Sequence, residues 1–192
     1  MIDTPKVIDN FLPLDIFPDF AHGAMNAPLY IPCDFTATKD EKDGSIDTFG
    51  MNLSDVKKKH ETMFQAMIQN RTLSGEYISD FYAYHEDAID KIKNLLNIKT
   101  LYVLRVNVTQ GQDVKHQGEF HTDRKGSYLE KNLKVAILYL NSNDGGTLFR
   151  DDSFIESTAN RCVTFPMGVE HAGVWCTNAK LRYVLNINYE EN

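Results

Sequence analysis

The hydrophobic pattern of the chain changes near residue 98. Before that point, apolar residues recur every three or four positions in two stretches, which predicts helices over about residues 54–70 and 76–96. A short extended segment, Val7–Pro13, precedes them. Residues 28–50 are rich in Pro, Asp, Thr and Lys without periodicity, which indicates an irregular surface segment. The first half is therefore expected to supply helices and irregular chain that support another unit.

After residue 98 the chain consists of short β-rich runs separated by turn residues. We predict eight strands: Leu101–Thr109, Glu119–His121, Lys134–Asn141, Thr147–Arg150, Phe154–Ser157, Arg161–Phe165, His171–Cys176 and Arg182–Tyr189. Short strands with no helical period between them are typical of a jelly-roll or barrel of two packed sheets. We therefore expect one α+β domain over residues 1–192, in which the helices of 1–98 cover one sheet of a core formed by 99–192.

Composition and charge exclude several classes of protein. A hydrophobic fraction of 42% with 24% charged residues excludes a disordered chain. The net charge is −7 and the basic residues are scattered apart from Lys57–Lys59, so duplex nucleic acid is not an expected ligand. The longest apolar run, Val135–Leu140, is far shorter than the ~20 residues of a membrane helix. Three cysteines without CxxC spacing argue against a disulfide framework and a zinc ribbon, and we expect a cytoplasmic protein.

Two histidines are followed two positions later by an aspartate. His85 and Asp87 lie inside the second predicted helix, where residues two apart point in different directions and cannot bind one metal ion. His121 and Asp123 follow a predicted strand, where such residues face the same way. Only the second pair can present an imidazole nitrogen and a carboxylate to one ion.

His171 is the candidate third metal ligand. It stands 50 residues after His121, at the entrance of a predicted strand. Two imidazoles and one carboxylate form the facial triad that non-haem Fe(II) prefers, which leaves three coordination positions open. Zinc accepts the same donors, but a structural zinc site needs a fourth protein ligand, and no cysteine is placed to supply it.

Arg182 opens the last predicted strand and shares a face with Val184 and Asn186. An arginine directed into a barrel is costly unless it meets an anion, because its charge does not titrate away. A dicarboxylate that chelates the metal at one end and pairs with Arg182 at the other would satisfy both groups. The alternative is a strand-end arginine in water or in a structural ion pair.

With these candidate residues in this order and spacing, the chain resembles the 2-oxoglutarate- and Fe(II)-dependent oxygenases. It is most similar to their prolyl-4-hydroxylase-like branch, including small stand-alone members from bacteria and phages. The pieces that carry the resemblance are His121-Thr122-Asp123, Ile137–Asn141, Asp144–Phe149, Phe165-Pro166, His171 and Arg182-Tyr183, with a weaker opening at Val7–Leu12. The resemblance covers about residues 101–189 and implies a double-stranded β-helix, a form of jelly-roll, with iron ligands at one mouth.

The resemblance also implies roles for individual residues. His121, Asp123 and His171 would bind Fe(II) as the catalytic centre, Arg182 would pair with the distal carboxylate of 2-oxoglutarate, and Tyr139 would hydrogen-bond the same cosubstrate. Tyr139 could instead be a core aromatic residue whose hydroxyl is satisfied elsewhere. The implied reaction hydroxylates a C–H bond with O2, while 2-oxoglutarate is decarboxylated to succinate and CO2.

Two positions depart from the family pattern. Asn107-Val108 stands where many relatives carry a tyrosine that contacts the cosubstrate, and Val184 stands where other branches carry a hydroxyl residue. Gly145-Gly146 is expected to form a tight turn between strands.

The substrate is expected by analogy to be a prolyl or other protein side chain, while a free amino acid, a nucleobase or a small metabolite stays open. Loops over residues 28–50, 113–118 and 124–132 are expected to act as lids. The candidate substrate contacts near the metal ligands are Arg124, Lys125, Tyr128 and Trp175.

Two other functions remain open at this point. The same jelly-roll could be a non-enzymatic binding or structural module, such as a virion component, or a metal-dependent cupin-like isomerase or hydrolase. A binding module has no need for His121, Asp123, His171 and Arg182 together. Cupins usually cluster more histidines and do not need a buried arginine in the last strand.

Overall fold

The computed structural model describes residues 4–28, 63–72, 75–123 and 132–192. Most of the expected irregular segment, the start of the helix expected over 54–70, and most of the expected lid over 124–132 lie outside these residues. The same holds for three candidate substrate contacts: Arg124, Lys125 and Tyr128.

The described residues form ten strands and three helices. The strands are β1 (Lys6–Ile8), β2 (Met63–Thr72), β3 (Gly75–Ile78), β4 (Ile98–Gln110), β5 (Leu133–Tyr139), β6 (Gly146–Phe149), β7 (Phe154–Glu156), β8 (Cys162–Pro166), β9 (His171–Val174) and β10 (Leu181–Glu191). The helices are α1 (Phe17–Met25), α2 (Asp80–Tyr84) and α3 (Glu86–Leu95). No helix in the described part of the chain is long and apolar enough to cross a membrane.

The strands form two antiparallel sheets with an apolar core between them. The large sheet has the order β1-β8-β5-β10-β4-β2-β3, and the small sheet has the order β7-β6-β9. Side chains of β5, β8 and β10 meet Phe149 of β6 in one buried cluster, with Tyr139 and Phe165 among its largest members. This arrangement is the jelly-roll that the strand pattern predicted.

The helices cover the outer face of the large sheet. Phe20 of α1 and Ile89 of α3 are buried in one cluster with Leu104 of β4 and Leu185 of β10. The expected α+β arrangement, with helices packed on one sheet, is therefore confirmed. Because β4 and β10 are covered on this outer face and also line the interior, both of their faces are largely buried.

Three predictions for the first half need correction. Residues 63–70, expected to end a helix, belong to β2, which pairs with β4. Residues 75–78, expected to begin the second helix, form β3, and the remainder of that helix is divided at His85 into α2 and α3. Ala66 and Ile68 lie in the outer core, where sheet pairing outweighs the helical spacing. Helix α1 was not predicted: its N-cap, Ile16, makes no side-chain cap hydrogen bond, although a proline and Asp19 stand in its first turn.

Seven of the eight strands predicted after residue 98 are present, with shifted ends. The exception is Glu119–His121, which forms only an isolated bridge between His121 and His171.

Candidate metal centre

The two candidate histidine ligands are brought together by backbone pairing. The N–H of His121 donates to the carbonyl of His171 over 3.0 Å, and the N–H of His171 donates back over 2.9 Å. Residues that exchange both hydrogen bonds in an antiparallel pair project their side chains to the same face. The centroids of the two imidazole rings lie 4.6 Å apart. The bridge therefore places side by side two rings that are 50 residues apart in the chain.

The orientation of both rings leaves Nε2 free. Nδ1 of His121 lies 3.1 Å from the carbonyl oxygen of Glu119, and Nδ1 of His171 lies 3.1 Å from that of Val169. Because a carbonyl oxygen can only accept, each Nδ1 carries the proton and each Nε2 keeps a lone pair for a metal ion.

Asp123 completes the triad. Its Oδ1 lies 3.6 Å from Nε2 of His121 and 4.0 Å from Nε2 of His171. Two donors that each bind one ion at about 2.1 Å can be at most about 4.2 Å apart, so both separations fit a shared ion. Ligand atoms of all three residues lie within 4.8 Å of one another. The donor set of two imidazoles and one carboxylate suits Fe(II).

The surroundings favour the ionised form of the Asp123 carboxyl group. Its side chain is 5% exposed, and this burial raises its pKa, but electrostatic interaction with Arg105, and less with His171 and His121, outweighs that effect. Nδ2 of Asn186 also donates to Asp123 Oδ2 over 3.3 Å. The pKa of Asp123 is therefore below its ordinary value, and the carboxylate is available as a ligand.

His171 is held in its neutral form by an aromatic environment. Its ring lies 4.7 Å from the ring of Phe165 and 6.4 Å from that of Phe149. Burial lowers the pKa of His171 more than the neighbouring Asp123 raises it. The side chain of His121, in contrast, is 54% exposed. The triad is thus covered on the His171 side and open on the His121 side.

Arg182 lies deeper in the interior and is only 5% exposed. Its Nε donates to Ser157 Oγ over 3.1 Å, and its Nη2 donates to the carbonyl of Gly146 over 2.9 Å. No carboxylate within residues 4–28, 63–72, 75–123 and 132–192 forms an ion pair with it. Burial lowers the pKa of Arg182 from its usual value, because no carboxylate compensates the guanidinium charge in the interior. Such a guanidinium is a ready partner for an anionic ligand.

Tyr139 lies beside this arginine, with its ring centroid 5.6 Å from the guanidinium carbon. Its hydroxyl oxygen is 2.8 Å from Thr147 Oγ1 and 3.1 Å from the carbonyl oxygen of Ile155. Burial raises the pKa of Tyr139, so its hydroxyl stays protonated. The hydroxyl therefore already has protein partners, and its expected bond to the cosubstrate stays a prediction.

The interior faces of β4 and β10 form a polar wall. Arg105, Asn107 and Thr109 of β4 lie opposite Asn186, Val184 and Arg182 of β10. We use the name polar wall for six residues of these strands: Arg105, Asn107, Thr109, Arg182, Asn186 and Asn188.

Five polar side-chain atoms of the wall are buried without a hydrogen-bond partner: Arg105 Nε, Asn107 Oδ1, Thr109 Oγ1, Asn186 Oδ1 and Asn188 Oδ1. Native proteins pair almost all such atoms, so a run of exceptions on one face indicates a place for a polar ligand.

Most of the polar wall was not predicted. Asn186 was expected on the face of Arg182, and Asn107 stood out only as a departure from the family pattern. Arg105 and Thr109 were not considered, although polar residues alternate with apolar ones along this part of β4. That alternation was the available signal, since it places Arg105, Asn107 and Thr109 on one face.

Two other candidates have packing roles. Trp175 is 9% exposed, and its ring meets that of His116 edge-on with centroids 4.8 Å apart. His85, set aside as a ligand from its predicted helical position, packs against Phe81 and Phe20 with ring centroids 4.3 and 5.7 Å away.

Gly145 meets a spatial constraint close to Arg182. A Cβ atom on Gly145 would lie 2.6 Å from the carbonyl oxygen of Val174 and 3.0 Å from Cδ of Arg182. The close approach of the neighbouring strand and of Arg182 therefore explains why a residue without a side chain stands at position 145.

Several solved structures share this fold. A 2OG-Fe(II) oxygenase family oxidoreductase from Burkholderia pseudomallei matches with a TM-score of 0.62 and 8% identity, covering 98% of this chain and 84% of that one. A Pseudomonas putida prolyl-4-hydroxylase matches with a TM-score of 0.55 and 13% identity, covering 98% and 92%. The viral collagen prolyl hydroxylase of Paramecium Bursaria Chlorella virus-1, as a 2OG complex, matches with a TM-score of 0.53 and 13% identity, covering 99% and 97%.

Neither a protein-family model nor a curated protein matches this sequence. At identities of 8% to 13%, the structural likenesses establish the fold, which is the jelly-roll of these enzymes.

Proposed function

We propose that this chain is a 2-oxoglutarate- and Fe(II)-dependent dioxygenase that hydroxylates a C–H bond. One arrangement carries the proposal: the free donor atoms of His121, Asp123 and His171 converge at an open site, and a buried guanidinium lies deeper in the same interior. The bound iron, with O2 and 2-oxoglutarate, supplies the oxidising chemistry, and 2-oxoglutarate leaves as succinate and CO2.

The protein's own part is to bind and orient. The triad holds the metal on one side and leaves the His121 side open for other ligands. Asn186 fixes the carboxylate of Asp123 through its amide hydrogen bond. The aromatic rings around His171 keep water from the covered side of the site.

Arg182 and Thr109 suit the distal carboxylate of 2-oxoglutarate. They lie opposite each other on neighbouring strands, and Oγ1 of Thr109 is buried without a partner. A carboxylate between them would compensate the charge of Arg182 and accept a hydrogen bond from Thr109. The ring of Tyr139 supports the guanidinium from one side.

The prolyl substrates in the names of two structural neighbours are not part of this proposal. A prolyl ring is mostly apolar, whereas the wall beside Asp123 carries unpartnered amide and guanidinium groups. We retain from the likeness the hydroxylation of a C–H bond and treat a prolyl peptide as one substrate to be tested.

The test is the addition of Fe(II) and 2-oxoglutarate to the protein without oxygen. We expect the weak visible band near ~500 nm of that chelate, followed by succinate when air is admitted. His171→Ala should lose both signals. Arg161→Met, which removes an arginine paired with Asp9 outside the site, should keep both. A wild-type protein with neither band nor succinate would favour the non-enzymatic binding module.

A further inference from the structure

We propose that the primary substrate carries a carboxylate next to the metal, and that Arg105 binds this carboxylate. This inference rests on the proposed function, because it names the substrate class of the same site.

Arg105 is placed at the level of the metal site. It lies in β4 directly opposite Asn186 of β10 and Met67 of β2. Directly opposite residues in an antiparallel pair project to the same face, with Cβ atoms about 5 Å apart. Because the amide of Asn186 reaches Oδ2 of Asp123 over 3.3 Å, Arg105 flanks the carboxylate ligand. Its charge is also the main influence that lowers the pKa of Asp123.

The hydrogen-bonding state of Arg105 indicates a missing partner. Its Nε is buried without a hydrogen bond, whereas native proteins pair almost all such groups. Oδ1 of the facing Asn186 is also unpartnered, but it can only accept a hydrogen bond and does not bind a carboxylate. A guanidinium offers its N–H groups as a planar fork that matches the two oxygens of a carboxylate. An amide alone would suit many polar ligands, but the guanidinium selects an anion.

The sum of the charges in the loaded site also indicates an anionic substrate. When Fe(II) and 2-oxoglutarate are bound, the dianion and the Asp123 carboxylate together exceed the metal charge by one, and Arg182 compensates that excess. Glu190, near the outer end of β10, is paired with Lys99. Among the interior charges of the described residues, Arg105 is then left without a counter-charge. An anionic group on the substrate makes this interior neutral.

Arg105 and Arg182 enter the interior at different levels of the sheet. The partner of Arg105 in β10 is Asn186, which lies four residues from Arg182, or about 13 Å along the strand. Arg182, which lies deeper, suits the distal carboxylate of the cosubstrate. Arg105, beside the metal site, suits a second anion. We therefore expect a small acid or a residue with a free carboxylate to bind, in preference to a capped prolyl residue.

The first test uses propionate as a carboxylate probe and propionamide as its neutral match. Each is titrated without oxygen into wild-type protein loaded with Fe(II) and 2-oxoglutarate, and the visible band is recorded. Propionate should shift the band with saturation, and propionamide should not. In Arg105→Met the propionate affinity should fall roughly 10- to 100-fold, since hydrogen bonds to charged groups contribute about 1.5–3 kcal/mol. Arg105→Lys keeps the charge and should lose less.

Arg161→Met is the matched control, because its arginine is paired with Asp9 away from the interior. It should bind propionate as the wild type does. Thermal unfolding of each variant checks that the fold is retained. If the wild type forms the band but propionate has no effect, or if Arg105→Met responds like the wild type, the carboxylate inference is wrong. If the wild type forms no band at all, the proposed function itself is wrong.

The second test measures succinate in air with the free L-amino acids, each compared with its amide, and with a capped prolyl peptide. We expect stimulation by a free acid, weaker stimulation by its amide, and loss of the stimulation in Arg105→Met. A capped prolyl peptide that stimulates more than every free acid would overturn the inference in favour of a peptide substrate.

Discussion

Arg182→Met should remove most of the stabilisation of this protein by 2-oxoglutarate while leaving the fold intact. In the structure, the guanidinium has no carboxylate partner in the described part of the chain, so its removal leaves no buried acid unpaired. The variant loses hydrogen bonds to Ser157 and Gly146, each worth about 1 kcal/mol. Methionine fills much of the same volume. We therefore expect the ligand-free variant to unfold at most about 8 °C below the wild type, since removal of a buried charge offsets part of this loss.

The effect on ligand binding should be much larger. Truncating one partner of a buried, hydrogen-bonded charge pair costs about 2–5 kcal/mol. Since every 1.4 kcal/mol is tenfold, the Kd of 2-oxoglutarate should rise roughly 30- to 4,000-fold.

The assay is thermal unfolding with Mn(II) and 2-oxoglutarate, a combination chosen to avoid turnover. At a ligand concentration 100 times Kd, the wild type gains about 2.7 kcal/mol. For a chain of this size, that gain raises the unfolding temperature by about 5–11 °C. At the same concentration, Arg182→Met should gain less than about 0.9 kcal/mol, or about 4 °C at most.

The matched control is Arg161→Met, which breaks the pair with Asp9 and should keep the full ligand-induced shift. A shift of wild-type size in Arg182→Met would refute the assignment of the distal carboxylate to this arginine.

Three further changes test the supports of the site. Asn160→Ala should destabilise the protein by about 2–4 kcal/mol in urea titrations, because the amide of Asn160 holds both the N–H and the carbonyl of Leu12 over 2.9 and 2.8 Å; an unchanged midpoint would contradict this. Gly145→Ala should lower both the unfolding temperature and the affinity for 2-oxoglutarate, since the new Cβ meets the Val174 carbonyl and Arg182; unchanged affinity would separate this glycine from the site. Asp144→Asn should lower the unfolding temperature most at neutral pH, because hydrogen bonds from Thr177 hold the pKa of Asp144 below 3.8. That stabilisation is present above pH 3.8 and is lost as the pH falls through the lower folded-state pKa, so the deficit should shrink there; a deficit of equal size at every pH would contradict the cause.

The proximity of the candidate metal ligands could be predicted because it depends on local geometry and chain order. His121 and Asp123 are two residues apart in extended chain, and residues with that spacing face the same side. The interior position of Arg182 follows from strand alternation in the same way. What the sequence does not contain is the exchange of backbone hydrogen bonds between His121 and His171, which replaces the strand predicted over 119–121.

The errors in the first half arise from tertiary packing. Apolar residues of β2 are spaced in a way that fits a helix as well as a strand, and only the pairing with β4 decides between them. The role of Arg105 also depends on packing, because an alternating strand can expose its polar face to water. In this fold, the outer face of β4 is covered by helices and its polar face closes the interior, so polar atoms of Arg105 and Asn107 are buried there.

Because β10 is central in the large sheet, the same packing that stabilises the fold also determines the geometry of the candidate site. The strand is hydrogen-bonded to β4 on one side and to β5 on the other, and its alternate residues face opposite cores. A slip of one residue would move Leu185 into the interior and turn Arg182 and Asn186 away from it. The burial of Leu185 and Ile187 under the helices therefore fixes the same register that sets the guanidinium and the Asp123-binding amide at their separate depths. For this reason, substitutions in the outer core under β10 should weaken ligand binding as well as stability, although they touch neither the metal site nor the cosubstrate.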